Sequence, residues 1–171
     1  MSQSRVISDQ IDMAERSNPF DLSPYSIAHD KPFLCDLTVD DQAVSEMIPH
    51  VINTEYVRWL DKAAELHSDS LGYSRQGMLD DGFMWFVVRH EIDYLAEAWP
   101  GDDLVVITWV RDMQRVKSWR EYVVVRPNDE AIICKAATLW VLVDLNSRKP
   151  KRISLEMAEQ FSPLEITKVK R

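Results

Sequence analysis

One stretch of the chain, Ser45 to Leu71 (SEMIPHVINTEYVRWLDKAAELHSDSL), joins a polar loop to a long amphipathic helix. Asn53 or Thr54 is predicted to cap this helix by accepting a backbone N–H bond in its first turn. Apolar and aromatic residues then recur at spacings of three and four, and this pattern predicts one buried face made of Val57, Leu60, Ala64, His67 and Leu71. Gly72 is the predicted terminator. At ~1.5 Å per residue such a helix is about 27 Å long, enough to lie across a whole sheet.

Five segments are predicted to be β-strands. Residues 33–39 alternate apolar and polar side chains, and β-prone segments follow the helix at residues 83–94, 104–110, 119–125 and 131–144. Short turns join the last four, which predicts an antiparallel meander. Because a helix and a sheet with one apolar face each bury one another, we expect an α+β fold in which a curved antiparallel sheet wraps around one long central helix.

The rest of the chain is predicted to be mostly irregular. Residues 73–82 are expected to form a loop, Ser154 to cap a short helix that ends at Gln160, and regular structure to stop at Pro163. We therefore expect an N-terminal extension over residues 1–32, one domain over residues 33–161 and a C-terminal tail over residues 162–171.

Composition argues against several classes of protein. The chain has 171 residues and a formal net charge of −8, which disfavours non-specific binding to nucleic acid or to anionic membranes. No apolar run approaches the ~20 residues that span a bilayer, and the N-terminus lacks the apolar core of a signal peptide. Cys35 and Cys134 are too few for a metal site; free thiols are expected, with one disulfide as the alternative. These features predict a cytoplasmic protein with no cofactor, no nucleic-acid partner and no membrane partner.

Three separated motifs resemble one protein family. HVINTEYVRWLDKA resembles the helix-start signature GHVNNxxYLRWLEEA, FVVRHEIDYLAEAWPGDDLVV is similar to the second and third strands of that family, and ATLWVLVDLNSRKPKRI is similar to its last strand. The family is that of the hotdog-fold thioesterases of the 4-hydroxybenzoyl-CoA thioesterase and acyl-ACP thioesterase type. The resemblance covers residues 33–161 and implies a hotdog fold and hydrolysis of an acyl-CoA or acyl-ACP thioester to free acid and thiol.

The resemblance also implies catalytic residues. The family's catalytic aspartate lies four residues before the histidine, which here is the position of Glu46, while His50 and Asn53 match the histidine and the second asparagine of the signature. The sequence departs from the signature at Pro49 and Ile52. Thioester hydrolysis needs a carboxylate that activates water or attacks the carbonyl, and donors aimed at the developing oxyanion. We expect Glu46 to supply the carboxylate and the N–H groups near Asn53 to Glu55 to supply the donors. His50 is expected to hydrogen-bond the carboxylate or to donate to the thioester oxygen, and Asn53 to position either the water or the carbonyl.

Each of these residues has a structural alternative. Glu46 can be a solvated loop acid, His50 a packing histidine and Asn53 only a helix cap. Asp40 and Asp41 are rival carboxylates, but their place at the end of the first strand predicts a turn role. The alternative function is that of a non-catalytic hotdog protein that binds acyl groups or regulates their use.

Basic residues near one predicted turn are candidates for binding the nucleotide end of coenzyme A, which carries several phosphate charges. The turn between the third and fourth strands is surrounded by Arg111, Arg115, Lys117 and Arg120, and Arg89 lies on the second strand. We expect Arg89, Arg115 and Lys117 to bind substrate; a solvated hairpin is the alternative.

A single copy of the sheet would leave an open edge. Its outer surface is also expected to expose Trp109, Trp119 and Trp140. Open edges and apolar patches favour association, so a homodimer or homotetramer is expected.

Overall fold

The computed structural model describes residues 11–45 and 47–170. Seven strands form one sheet: β1 (Met13–Glu15), β2 (Phe33–Thr38), β3 (Phe83–Tyr94), β4 (Asp103–Gln114), β5 (Lys117–Arg126), β6 (Ala131–Asp144) and β7 (Glu165–Thr167). Three α-helices accompany it: α1 (Asn53–Ser70), α2 (Arg75–Asp80) and α3 (Leu155–Phe161). Short 3₁₀ turns occur at Ser23–Tyr25 and Asp41–Ala43. The predicted α+β fold, a curved antiparallel sheet with one long central helix, is confirmed.

Strand order differs from the predicted four-stranded meander. The order is β1-β2-β4-β5-β6-β3, so β3 pairs with β6 rather than with its chain neighbour β4. The connection from β3 to β4 crosses the end of the sheet instead of making a hairpin. Backbone bonds to other parts of the fold hold this crossing, among them Leu95 N–H to Ile133 O, Val51 N–H to Ala98 O and Val39 N–H to Asp102 O. Local turn residues carry no information about such a crossing, which is why the prediction was wrong.

Helix α1 packs its apolar face against the inner face of the sheet. The buried apolar residues of the helix are Tyr56, Trp59, Leu60, Ala63 and Ala64. They join a core made with strand residues such as Cys35, Leu104, Val106, Val124 and Ile133. Leu60 and Ala64 of the predicted face are confirmed, but the face is rotated toward Tyr56 and Trp59. The predicted cap is wrong, because Ile52 occupies the N-cap position and its side chain makes no capping bond.

Two segments predicted to be irregular are regular. Residues 75–80 form α2, because Ser74 caps it by accepting a bond from Gly77 N–H at 3.1 Å. After Pro163, β7 pairs in parallel with the end of β4. The short helix predicted after Ser154 is confirmed as α3, with Met157 N–H donating to the Ser154 hydroxyl.

The described part of the N-terminal extension covers the outer face of the sheet. β1 pairs with β2, and Tyr25 is only 3% exposed. The outer cluster combines extension residues Phe20, Leu22, Tyr25 and Ile27 with sheet residues Val105, Ile107, Trp109, Val123 and Val125. This cover corrects the expectation for Trp109, which is 5% exposed, while Trp119 and Trp140 are half-buried.

The open edge of the sheet is β3. Among the described residues β3 pairs only with β6, and its middle exposes three apolar side chains in a row, Phe86, Val87 and Val88. A register shift between Val87 and Arg89 bulges the strand at this point. Among the described strand residues, the large apolar side chains that are exposed all lie on β3, whereas the three tryptophans are buried or half-buried.

Two further expectations can be compared with the described residues. Cys35 and Cys134 are free and buried, as predicted. Within residues 11–45 and 47–170, no helix is both long enough and apolar enough to cross a membrane.

Candidate active site

Two of the predicted catalytic residues meet in one cleft. His50 and Asn53 line a cleft of about 320 Å³ at the start of α1. Its other walls are Val51, Tyr56, Tyr94, Leu95, Ala96 and Glu97. The cleft therefore lies between the N-terminus of α1 and the segment that follows β3.

Backbone hydrogen bonds hold the loop that carries His50. Ser45 N–H donates to His50 O at 3.2 Å, and Ile52 N–H donates to Ala43 O at 3.0 Å. Val51 N–H donates to Ala98 O at 3.2 Å, which fastens the loop to the fully buried Ala98 of the crossing segment. These bonds fix the entry of the chain into α1 without using a side-chain cap.

The uncapped N-terminus of α1 is suited to bind an oxyanion. The first N–H groups of a helix have no partner inside the helix. Glu55 N–H donates to the backbone oxygen of the N-cap residue Ile52 at 3.0 Å, but the apolar side chain of Ile52 cannot accept from the N–H groups of Asn53 and Thr54. Asn53, the first helical residue, is exposed in the cleft. The helix dipole adds partial positive charge at this end. The cleft thus offers backbone donors and a side-chain amide to an oxygen that gains negative charge.

The imidazole of His50 also has bonding capacity in the cleft. Its Nδ1 is buried and finds no hydrogen-bond partner within residues 11–45 and 47–170. Buried polar atoms without partners are rare in folded proteins, so each one needs an explanation, a catalytic role among them. A packing role alone leaves this nitrogen unexplained.

Two tyrosines complete the apolar side of the cleft, and sequence reasoning did not identify them. The rings of Tyr56 and Tyr94 meet edge to face with centroids 5.0 Å apart. Burial raises the pKa of Tyr56 to about 12, so its phenol stays protonated and can donate. The signal available in the sequence was the position of Tyr56, one turn after Asn53 and therefore on the same side of the helix.

Glu46, the predicted catalytic carboxylate, lies outside the described residues. Of its rivals, Asp40 accepts a bond from Gln42 N–H at 2.6 Å and caps the 3₁₀ turn that begins at Asp41. This is the turn role that the sequence predicted for the pair.

The predicted nucleotide-binding residues do not reach this cleft within one chain. Arg115, with φ of 51°, and Lys117 lie at the turn between β4 and β5, whereas the cleft lies near the other end of β4. A strand of 12 residues at ~3.3 Å each separates the two ends by roughly 36 Å. Arg89 lies on the open edge, where it is paired with Glu91 at 2.9 Å.

A second, larger cavity lies under the other half of α1. It has a volume of about 440 Å³ and is lined mainly by apolar side chains, among them Met78, Met84, Trp85, Phe86, Val110, Met113 and Phe161. Asp61 and Glu65 line its α1 side and are bound by Arg75 of α2 at 2.6 and 3.7 Å. A volume of this size is in the range of small-molecule pockets.

Arg120 is buried at this cavity, and this corrects its grouping with the surface basic residues. It is 4% exposed and donates from Nη1 to Nδ1 of His67 at 2.8 Å. Burial, followed by the positive charge of Arg120, lowers the pKa of His67 to about 3. The sequence signal for the burial of Arg120 was the two-residue period of a strand. Arg120 lies on the same face of β5 as Tyr122 and Val124, which are buried on the inner face.

We expect the buried His67 to make stability depend on pH. Its folded pKa of about 3 lies below the unfolded value near 6.5, so the unfolded chain binds more protons between these values. Stability is therefore complete above pH ~6.5 and falls as pH drops below it, by roughly 1.4 kcal/mol per pH unit. Urea unfolding across this range measures the slope.

The variant His67→Gln keeps an acceptor for Arg120 but cannot titrate, so its slope should be shallower. Burial also lowers the pKa of His90, which accounts for part of the slope that remains. An unchanged slope in His67→Gln would show that His67 is not the group responsible.

The described residues contain no cluster of three or more His, Cys, Asp or Glu side chains placed to hold a metal ion.

Comparison with known families gives one match. The model of the acyl-ACP thioesterase N-terminal domain matches residues 43–161, more than half of the chain. This range includes the loop, α1 and strands β3 to β6. No curated protein sequence matches the chain.

Solved structures with the same fold are named as thioesterases. A protein of Lactobacillus plantarum, provisionally assigned as an oleoyl thioesterase, superimposes with a TM-score of 0.75 at 15% identity over 84% of this chain and 56% of its own. A 1,4-dihydroxy-2-naphthoyl-CoA thioesterase from Synechocystis gives 0.71 at 20% identity over 78% of this chain and 98% of its own. An acyl-ACP thioesterase from Bacteroides thetaiotaomicron gives 0.63 at 21% identity, over 68% of this chain and 47% of its own.

At these identities the likenesses show the fold alone. This chain spans about half the length of the Lactobacillus and Bacteroides proteins and nearly the whole of the Synechocystis protein.

Proposed function

Because the chain belongs to the acyl-ACP thioesterase family, whose members are thioester hydrolases, we propose that it hydrolyses acyl thioesters of coenzyme A or acyl carrier protein. The observation that carries the proposal is the cleft in which His50 and Asn53 meet an uncapped helix N-terminus. Hydrolysis needs a place where a carbonyl oxygen can become an oxyanion, and the cleft supplies donors for it.

The residues of the cleft can be given roles on this basis. The first N–H groups of α1, with Asn53, bind the thioester oxygen as it gains charge. Glu46 activates water or attacks the carbonyl carbon, as the family resemblance implies. Nδ1 of His50 hydrogen-bonds either the carboxylate or the attacking water. The phenol of Tyr56 and the ring of Tyr94 exclude bulk water from one side.

The cleft and the larger cavity lie at opposite ends of β3 in one chain. The cleft uses residues 94–97, whereas the cavity uses residues 84–87. A two-fold pair of chains joined antiparallel along β3 places residues 83–87 of one copy beside residues 90–94 of the other. We propose this homodimer, in which the acyl chain enters the cavity of one copy while its thioester lies in the cleft of the partner.

The dimer also gives the basic turn a place near the substrate. Within each chain Lys117 pairs with Val141, and Val141 pairs with Phe86. Lys117 therefore lies on the same row of the sheet as Phe86, near the start of β3. The partner's turn is thereby brought toward the mouth of the cleft. Arg115 and Lys117 can then attract the phosphates of coenzyme A from the second copy.

A panel of thioesters tests the proposed reaction. Purified protein is incubated with acyl-CoA and acyl-ACP substrates of different chain lengths, and released thiol is measured. Hydrolysis of at least one class well above the spontaneous rate is expected. Tight binding of acyl groups without any thiol release would instead identify a non-catalytic acyl-binding protein.

Replacing Arg115 and Lys117 together with Ala should raise KM for acyl-CoA more than it lowers kcat. The physical reason is the loss of attraction to the nucleotide phosphates. Salt weakens this attraction, because exposed charges more than about 10 Å apart are largely screened at ~0.1 M ionic strength. The measurement is kcat and KM at low and high salt, for an acyl-CoA and for a short thioester without the nucleotide. Equal losses with both substrates would assign the two residues to folding.

A further inference from the structure

The guanidinium of Arg120 is a positive charge inside an apolar cavity. Its two hydrogen bonds both leave Nη1, toward Nδ1 of His67 and Oγ1 of Thr108. Both acceptors are neutral groups, and among the described residues no carboxylate forms an ion pair with Arg120. Burying a charge without a counter-charge is strongly unfavourable. The Nε and Nη2 donors therefore point to a missing anionic partner.

Further donors stand on the same wall of the cavity. β5 and β6 align Ser118 with Trp140 and Arg120 with Thr138, so Ser118, Arg120 and Trp140 lie together on the lining. Nε1 of Trp140 is buried and interacts with the hydroxyl of Tyr122, so the donors left for a ligand on this wall are chiefly those of Arg120. Indole and guanidinium nitrogens can only donate. Their natural complement is a group that only accepts, such as a carboxylate.

The acidic residues of the cavity, Asp61, Glu65 and Asp69, lie on the opposite wall, and Asp69 is exposed to solvent. Asp61 and Glu65 belong to α1 and share Arg75 as their ion-pair partner. Their side chains are 41% and 25% exposed, which places them toward solvent at the mouth. Among the charged residues that line the cavity, Arg120 is the buried one, and within residues 11–45 and 47–170 it has no ion pair.

We propose that this cavity selects acyl chains that carry a carboxylate at the end distal to the thioester, and that Arg120 is the residue that binds it. The inference rests on the proposed thioesterase function and adds the class of acyl group. The apolar lining from Phe86 at the open edge to Met113 inside takes the methylene chain, and Arg120 takes the carboxylate. Arginine suits this role because its planar fork can bind a carboxylate with two parallel hydrogen bonds.

Matched substrates test the proposal on the unmodified protein. Thiol release is compared between hexanoyl-, octanoyl- and decanoyl-CoA and the corresponding hexanedioyl-, octanedioyl- and decanedioyl-CoA. At the best length the ω-carboxylated substrate should have a kcat/KM about 10- to 100-fold higher, the range expected for hydrogen bonds to a charged partner. A kcat/KM that is equal or lower at every length would overturn the proposal while leaving thioester hydrolysis established.

The variant Arg120→Met assigns the preference to a residue. It removes the charge at similar volume, and the ratio of kcat/KM between the paired substrates should fall to near one. Arg111→Met is the matched control on β4, since Arg111 is already paired with Asp112 and Glu121, and it should keep the parent ratio. If a folded Arg120→Met protein loses activity toward the plain and the ω-carboxylated substrates to the same degree, Arg120 acts at the reacting thioester and the proposal is contradicted.

Binding measurements on the parent protein test the proposed carboxylate site independently of catalysis and of whether the variants fold. Free decanedioate should raise the Tm of the parent protein more than decanoate does, and this difference requires no catalysis. If no thioester is hydrolysed but decanedioate still stabilises selectively, the proposed function fails and the cavity assignment survives. If decanedioate and decanoate stabilise equally, the cavity does not select a carboxylate.

Discussion

Glu46→Gln is expected to lower kcat for acyl thioester hydrolysis at least ~10²-fold while the protein remains folded. The substitution keeps the size and much of the hydrogen-bonding shape of the side chain but removes its negative charge and its basicity. Neither activation of water nor attack on the carbonyl is then possible from this position. Steady-state kinetics on the best substrate, together with a thermal unfolding curve, measures the effect.

Two companion measurements define the role of Glu46 further. Glu46→Asp restores the carboxylate length of the family signature, and partial activity would show that the loop accepts either length. The pH profile of the parent should lose activity on the acid side as the carboxylate is protonated. A Glu46→Gln protein that hydrolyses the substrate as fast as the parent would move the search to Asp41.

Val88→Glu should convert the proposed dimer to a monomer and reduce hydrolysis by a comparable factor. Val88 is 56% exposed at the bulge in the middle of the open edge strand. In a two-fold interface along β3 the two copies of this residue lie near the axis, so the variant places two like charges close together in a contact that is otherwise apolar. Activity falls because each cleft loses the neighbouring cavity.

Sedimentation velocity at micromolar concentration, with kinetics on the same samples, measures both effects. Leu164→Glu is the control, because Leu164 is similarly exposed at 49% but lies away from the edge strand. That variant should keep the parent assembly and rate. A parent protein that is already monomeric and fully active would contradict the proposed dimer.

The parts of the fold that depend on local patterns were predictable from the sequence. β3 and β6 have the predicted bounds because each is a long run of β-prone residues with turn signals at both ends. The pairing of β3 with β6 was not predictable, since the crossing between β3 and β4 is held by distant partners such as Val51 and Ile133. Register and strand order are decided by contacts across the fold, which periodicity does not encode.

The candidate site shows the same division. The meeting of His50 with Asn53 follows from a motif that is continuous in sequence, so the resemblance could locate it. Arg120 was counted by its charge with its neighbours in sequence, although alternation along β5 turns it inward, away from Arg115 and Lys117. Charge composition gives the number of basic groups, whereas the strand period decides which of them face the ligand.

The two edges of the sheet differ, because the short β1 lies at one edge and the long β3 at the other. This difference limits how large an assembly can become. β1 already occupies the outer side of β2 and has only three residues, which makes it a poor template for another strand. β3 is long and open, but in the proposed two-fold contact the β3 strands of the two copies pair with each other, so neither edge stays open. In the proposed dimer, a sheet that can be extended from one side only stops growing at two chains, so we expect the short β1 to disfavour linear polymerisation and fibre formation.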